Sequence, residues 1–389
     1  MKQVTQIPVA VFLTGFHPGG TERQMTELIR RLDRTRFAVH VACFHRTGAW
    51  LPRVEACAPV TEFPIRGFVR LATLARAAVF ARWCRKRRIA VVQSCDLYAN
   101  TFALPAAALA GVPARIGSRR EINPDKTPGQ IALQRHAYRF AHAVVANSQA
   151  AAGQLVREGV QRERIHIIPN GIALDRFAAE PALRRITTIT TVANLRTEKA
   201  HEVLIEAVAL LASRHPQLIL QVVGDGPRRD ELTYLAAARG LTGRVRFLGY
   251  REDIPAVLAS SDLFVLTSRS EACPNGAMEA MAAGLPVIAT GVGGLLDLVE
   301  DGRTGVLVPP DQPRALAAAI ESLVAAPARA AALGAAARRE IAARYSFDGM
   351  VGAFEALYLA QLEAASLPSR ASTLHTTAQD RPEPRRGAA

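Results

Sequence analysis

A chain of 389 residues, 49% of them hydrophobic and carrying a formal net charge of +14, is too long for one ordinary core, so two domains and a tail are expected. No apolar run approaches the roughly 20 residues of a membrane span, and MKQVTQIPVAVFLTG leads straight into a strand rather than a signal peptide, so a cytoplasmic protein is expected. The five cysteines are scattered with no C-x-x-C pair, which argues against zinc or redox work and for reduced thiols.

In chain order, VAVFLTG, FAVHVACF, IAVVQS, ARIGS and HAVVANS read as strands, separated by the helical runs TERQMTELIRRL, Phe68 to Arg88, and NTFALPAAALAG. The alternation predicts a parallel sheet covered by helices. The positive excess sits here: residues 1–180 hold 26 Lys and Arg against 12 Asp and Glu, and the remainder hold 22 of each. It is densest in Arg82-Trp83-Cys84-Arg85-Lys86-Arg87-Arg88, which predicts attraction to an anionic membrane surface. A solvated helix end, favoured by the helix dipole, accounts for the same residues without a partner. Aromatic residues interleaved for base stacking are missing, so nucleic acid is not expected. A polar loop from Ile122 to Gln130 is expected to act as a lid or an acceptor-site loop.

After the turn at Pro169-Asn170-Gly171 and a linker-like segment to Leu183, the pattern restarts with the strands TTITTVANL, LILQVVG, RVRFLGY and LFVLTS. The helices EVLIEAVALLASRH and RRDELTYLAAARG intervene, and one helix is expected from Arg314 to Arg344. The expected architecture is α/β, with two doubly wound Rossmann-like domains, 1–180 and 181–345, then an amphipathic helix over 346–365 and a disordered tail over 366–389.

The chemistry concentrates between Ser268 and Pro310. Glu271 leaves the carboxyl end of the LFVLTS strand, where open α/β sheets collect ligands, and Glu279 lies eight positions on, within a helix. Pro274 is expected in that helix's first turn, leaving the amides of Asn275, Gly276 and Ala277 without intrahelical partners at the positive end of the helix dipole. A diphosphate suits those amides. The carboxylates repel phosphate and accept from hydroxyls, which suits a sugar at Glu271 and a ribose at Glu279.

Set between a buried strand, a Pro-Asn-Gly helix start and the Gly293-Gly294 loop, this E-x7-E pattern resembles the donor site of retaining glycosyltransferases of family 4. The resemblance runs nearly the whole chain to about Leu362. It implies the GT-B fold, with the two domains facing across a cleft and the terminal helix crossing back to the first. It also implies that Gly19 and Gly20 face the donor diphosphate, that Lys199 neutralises the leaving diphosphate, and that Gly224 lies near the donor. Asn194 stands where the family usually has an arginine, so Arg196, two residues on, is expected to supply that charge, and Ala200 replaces a usual glycine. Cys95 falls at a usual histidine place, which passes any role in activating the acceptor to Asp96. No D-x-D triplet occurs, so metal-independent transfer without a cofactor is expected.

The implied function is transfer of a sugar from a UDP- or GDP-sugar to a lipid-linked or polysaccharide acceptor in envelope glycan assembly, at the inner face of the cell membrane. Two other readings stay open: an epimerase or hydrolase of the same fold, and a non-enzymatic protein that binds anions or a membrane surface.

Overall fold

The computed structural model describes residues 6–65, 67, 71–122, 126–177 and 185–367. The expected domain boundary at 180/181, the centre of the expected lid and nearly all of the expected tail lie outside the described residues.

Thirteen described strands form two wholly parallel sheets. The first contains β1 (Ile7–Leu13), β2 (Phe37–Cys43), β3 (Val60–Glu62), β4 (Val91–Ser94), β5 (Ala114–Arg119), β6 (Ala143–Ala146) and β7 (Ile165–Ile167), in the order β3-β2-β1-β4-β5-β6-β7. The second contains β8 (Thr188–Val192), β9 (Ile219–Val223), β10 (Val245–Gly249), β11 (Leu263–Leu266), β12 (Val287–Thr290) and β13 (Val306–Val308), in the order β10-β9-β8-β11-β12-β13. Each is the doubly wound arrangement expected from the alternation of apolar strands and helices.

Alternation along β1 explains how helices cover both sheet faces. Val9, Val11 and Leu13 join a core with Met25, Leu28 and Ile29 of the helix Gly20–Arg31. Ala10 and Phe12 point the other way, into a cluster with Phe44, Phe63, Phe80, Trp83 and Phe102. The Phe12 ring stands edge-on to Phe44 at 4.9 Å and to Phe80 at 5.2 Å. The terminal helix Phe347–Ser366 belongs to the first of these cores, burying Met350, Val351, Phe354, Leu357 and Tyr358 at helical spacing against β1, β2 and the helix Gly20–Arg31. Ser346 caps it, its Oγ accepting from Gly349 N at 3.0 Å. The chain therefore does return to the first domain.

The helix expected from Arg314 to Arg344 is two helices, Pro313–Ala325 and Pro327–Arg344, bent by 103°. Pro327 offers no amide hydrogen and drives Ala326 out of the helical region, to φ −129° and ψ 69°. Strands β3, β12 and β13, of three or four residues, add to the strands expected from the sequence. No single described helix is long and apolar enough to cross a membrane.

Strand order reverses between β1 and β4 in the first sheet and between β8 and β11 in the second. At each reversal the flanking crossovers leave to opposite sides and open a crevice at the strands' carboxyl ends. Thr14 and Asp96 bound the first crevice, and Asn194 and Ser268 the second. Side chains join the two: Arg23 pairs with Glu279, and Asn170 Nδ2 donates to Asn275 Oδ1 at 2.8 Å.

Candidate active site between the two sheets

The crevices merge into a cleft of about 380 Å³. Gly19, Gly20, Arg23, Trp50, Arg53 and Arg176 line it from one side, and Asn194, Lys199, Gly224, Glu271, Asn275, Gly276 and Glu279 from the other.

Glu271 is placed by the loop that follows β11. Its Oε1 accepts from Ser268 Oγ at 2.6 Å and from Lys199 Nζ at 2.6 Å. Lys199 ends the single 3-10 turn Thr197–Lys199 after β8, and Thr267 Oγ1 ties that turn to β11 by donating to the carbonyls of Lys199 (3.1 Å) and Ala200 (3.0 Å). Ala200 is left-handed, at φ 49° and ψ 42°, a conformation that costs a residue with a Cβ about 1–2 kcal/mol and that glycine adopts freely. This accounts for the glycine expected at that position.

The helix Asn275–Ala282 begins one residue later than expected. Pro274 is its extended N-cap residue rather than part of its first turn, and the Pro274 carbonyl accepts the first intrahelical bond from Met278 N at 3.2 Å. The amides of Asn275, Gly276 and Ala277 precede that bond. Asn275 and Gly276 line the cleft, whereas the Ala277 side chain is fully buried in the core beneath. A Cβ on Gly276 would lie 2.5 Å from the Val192 carbonyl oxygen, so only glycine lets the helix start press against the end of β8. Glu279 is buried one turn further in and is ion-paired to Arg23 of the facing domain. Gly20 approaches the same helix start, with a Cβ position 3.1 Å from Asn275 Nδ2.

Two expected site residues are placed elsewhere. Asp96 does not line the cleft: it caps the helix Leu97–Ala110, Oδ1 accepting from Ala99 N at 2.9 Å and Thr14 Oγ1 at 2.8 Å, and Oδ2 from Thr14 N at 3.2 Å. Burial raises its pKa against the opposing pull of those bonds. Its carboxylate ties β4 to β1. Arg196 is exposed and outside the cleft lining, because Leu195 before it turns fully into the second core and sends its neighbour outward. Cys95 is fully buried, and burial pushes its thiol well above the ordinary range.

The cleft cations not anticipated as site residues are Arg23, Arg53 and Arg176. Arg23 stands one helical turn from Gly19 and Gly20, and that adjacency was the one signal available for it in the sequence. Arg53 lies over the Trp50 ring at 4.7 Å, a pairing that no local pattern announces. Tyr250, Arg251 and Glu252, just past the end of β10, also line the cleft.

Two Rossmann-like domains meeting at their switch points, with a terminal helix returning to the first, make this a GT-B protein. Residues 18–176 match the family model described as Glycosyltransferase Family 4, and residues 179–340 match that described as Glycosyl transferases group 1. The chain belongs to glycosyltransferase family 4. D-inositol 3-phosphate glycosyltransferase of Rhodococcus opacus is 40% identical over 215 residues, covering 50% of this chain and 48% of that protein. Lipopolysaccharide core biosynthesis glycosyltransferase LpsE of Rhizobium meliloti is 33% identical over 193 residues, covering 48% and 55%. The chain thus matches about half the length of these curated relatives. Among solved structures, Anabaena HepE in complex with UDP and glucose shares the fold, with a TM-score of 0.81 and 24% identity over 91% of this chain and 100% of that one.

Proposed function

We propose that the chain is a retaining, metal-independent glycosyltransferase that takes a sugar from a nucleotide diphosphate donor. The observation that carries this reading is the cluster on the second sheet: Lys199 Nζ 2.6 Å from Glu271, beside the open amides of Asn275 and Gly276 and one turn from Glu279. A departing nucleoside diphosphate gains negative charge as the glycosidic bond breaks, and a fixed ammonium and helix-end amides favour that charge most at the transition state. Glu271 orients the sugar through its hydroxyls, and Glu279 holds the ribose. In a retaining reaction of this type the acceptor attacks the face the diphosphate leaves, and a phosphate oxygen assists removal of the acceptor proton. With cations and amides meeting the diphosphate, no metal is needed to neutralise it. HepE, with UDP and glucose in its complex, supports a donor of this class.

The acceptor sits against the first domain and is lipid-linked or a polysaccharide of the cell envelope, in line with LpsE. Leu71 and Leu74 of the helix Leu71–Lys86 are 86% and 68% exposed, and the basic run to Arg88 lies exposed at its other end. Apolar and cationic groups on one helix suit an anionic bilayer at the cytoplasmic face. Flotation should recover the protein with anionic liposomes and not with neutral ones, and equal recovery removes the membrane role.

A panel of UDP-, GDP- and ADP-sugars tests the central reading. One nucleotide sugar should raise the unfolding temperature and release its nucleotide, and Glu279→Ala should raise the donor KM at least tenfold. No stabilisation by any donor leaves an anion-binding protein, and donor breakdown at full rate without acceptor leaves a hydrolase.

A further inference from the structure

Arg120 and Glu22 flank the first sheet's switch-point crevice, and neither is among the residues lining the donor cleft. Arg120 directly follows β5 and is only 7% exposed. Its Nη2 donates to Asn170 Oδ1, but Nε and Nη1 are buried with no partner. A guanidinium removed from water with open donors is costly unless something else accepts from it. Burial lowers its pKa, yet an arginine stays charged inside a protein. The open donors therefore mark a place where a ligand oxygen belongs.

Glu22 is the third residue of the helix Gly20–Arg31, and its carboxylate folds back over Gly19: a Cβ there would lie 2.1 Å from Glu22 Oε2. Gly19 lines the donor cleft, so that carboxylate stands at the cleft's edge. Burial, with the charges of Asp96 and Glu121, pushes the Glu22 carboxyl up to about 7, against the pull of its own amide and of Arg120. Asp96 is already committed as a helix cap. Arg120 is likewise tethered to the donor side, since Asn170 Nδ2 also donates to the Cys273 carbonyl at 3.2 Å and to Asn275 Oδ1 at 2.8 Å. Ile122, two residues on, packs 3.1 Å from the Cβ position of Gly293, whose loop abuts the Glu271 carbonyl.

The electrostatics select among ligands. A phosphate would gain from Arg120 but would meet the carboxyls of Glu22, Asp96 and Glu121, and each of these repels it once ionised. A hydroxyl accepts from a guanidinium and donates to a carboxylate, so it gains from both. We propose that Arg120 and Glu22 form the acceptor subsite and grip neighbouring hydroxyls of a neutral sugar or polyol ring, presenting it to the donor sugar beside Glu271. Arg120 donates to a ring hydroxyl, and Glu22 accepts from the hydroxyl next to it. Both act as positioning residues, and any anionic or lipid part of the acceptor lies outside this pair.

The proposal rests on the sugar-transfer reading, and one experiment separates the two. Nucleotide release from UDP-, GDP- and ADP-glucose is measured without acceptor, then with methyl glycosides of common hexoses, and then with hexose 6-phosphates. If no donor is bound or split, the transfer reading falls. If a donor is split but no glycoside accelerates release, the subsite falls alone. With the subsite as described, methyl glycosides accelerate release. Glu22→Gln and Arg120→Lys each raise the glycoside KM at least tenfold while the acceptor-free donor KM moves less than threefold. Lysine keeps the charge but lacks the forked donors. Glu22→Gln is near-isosteric at a partly exposed position, so it serves should Arg120→Lys unfold. Unchanged glycoside KM values, an equal rise in donor KM, or acceleration by phosphorylated sugars alone overturns the proposal.

Discussion

The two sides of the cleft are built on the same strand-order reversal yet hold their charges differently. On the second sheet the groups facing the cleft are already mated: Lys199 with Glu271, and Glu279 with Arg23 from across the gap. On the first sheet Arg120 is buried with two open nitrogens, and Glu22 is a carboxyl that burial keeps protonated to near neutrality. A mated site is preorganised for one ligand and exchanges partners when it arrives. An unmated one depends on its ligand to complete it. The first description suits a donor held by fixed charges, and the second suits an acceptor that completes its own site.

If the donor side is where charge is stabilised, its loss produces the largest effect. Lys199→Ala should lower kcat by roughly 10²–10³-fold, the cost of removing one charge-stabilising donor, in single-turnover measurements at saturating donor. A loss below fivefold would move the stabilisation to the helix amides or to the arginines of the first domain.

The geometry of the donor side also depends on close backbone approach. A Cβ on Gly294 would lie 1.7 Å from the Ala272 carbonyl oxygen, where Gly294 N already donates to the Glu271 carbonyl at 2.8 Å. Gly294→Ala should cost about 2–3 kcal/mol in denaturant unfolding and raise the donor KM, since the Glu271 loop must shift. Stability and KM unaffected together would mean that the loop yields freely.

On the acceptor side the sharper measurement is stability against pH. The folded Glu22 carboxyl titrates at about 7 and the unfolded one at 4.5, so between these values the folded chain holds a proton that the unfolded chain has lost. Stability therefore falls as pH rises through that window and levels off above it. Glu22→Gln has no proton to lose, so it should match the wild type at low pH and exceed it by on the order of 2 kcal/mol above neutrality. A variant whose stability tracks the wild type at every pH would place Glu22 in water. Asp96→Ala should cost about 1 kcal/mol through the lost helix cap, with donor KM within twofold. A larger effect on acceptor use than on stability would return Asp96 to the reaction.

The same contrast governs what the sequence makes legible. Glu271, Asn275, Gly276 and Glu279 lie within nine residues on a loop and the helix that follows it, so their spacing nearly determines their relative positions. Both sheets follow from alternating apolar strands and helices, because a parallel sheet covered on both faces writes itself as continuous apolar runs. The acceptor crevice draws Glu22, Asp96 and Arg120 from three separate segments that together span about a hundred residues, and no local spacing relates them. Asp96 shows why: an aspartate after a strand and before a helix is as good a cap as a catalyst, and the capping role becomes visible only with Thr14, brought alongside by the pairing of β1 with β4. The break at Pro327 was written in the sequence, but the apolar pattern running through it obscured the two helices.

Arg196 offers the smallest expected effect and a clean discrimination. Asn194 and Arg196 flank Leu195, whose side chain is fully buried and whose carbonyl accepts from Arg228 N at 3.2 Å, so the segment is anchored at its middle. That anchoring puts Asn194 in the cleft lining and Arg196 in solvent, where a long cation has little hold on a diphosphate through screening water. Arg196→Ala should leave kcat and donor KM within about twofold, the change expected for an exposed charge without a fixed partner. Arg23, unlike Arg196, lines the cleft, reaching it from the opposite wall in its pair with Glu279. Arg23→Ala in the Arg196→Ala background should behave as Arg23→Ala alone, because distant sites without shared partners add independently. If instead Arg196→Ala alone costs tenfold or more in kcat, the Leu195 anchor must yield when donor binds, and the donor side would then complete itself only on its ligand, as the acceptor side does.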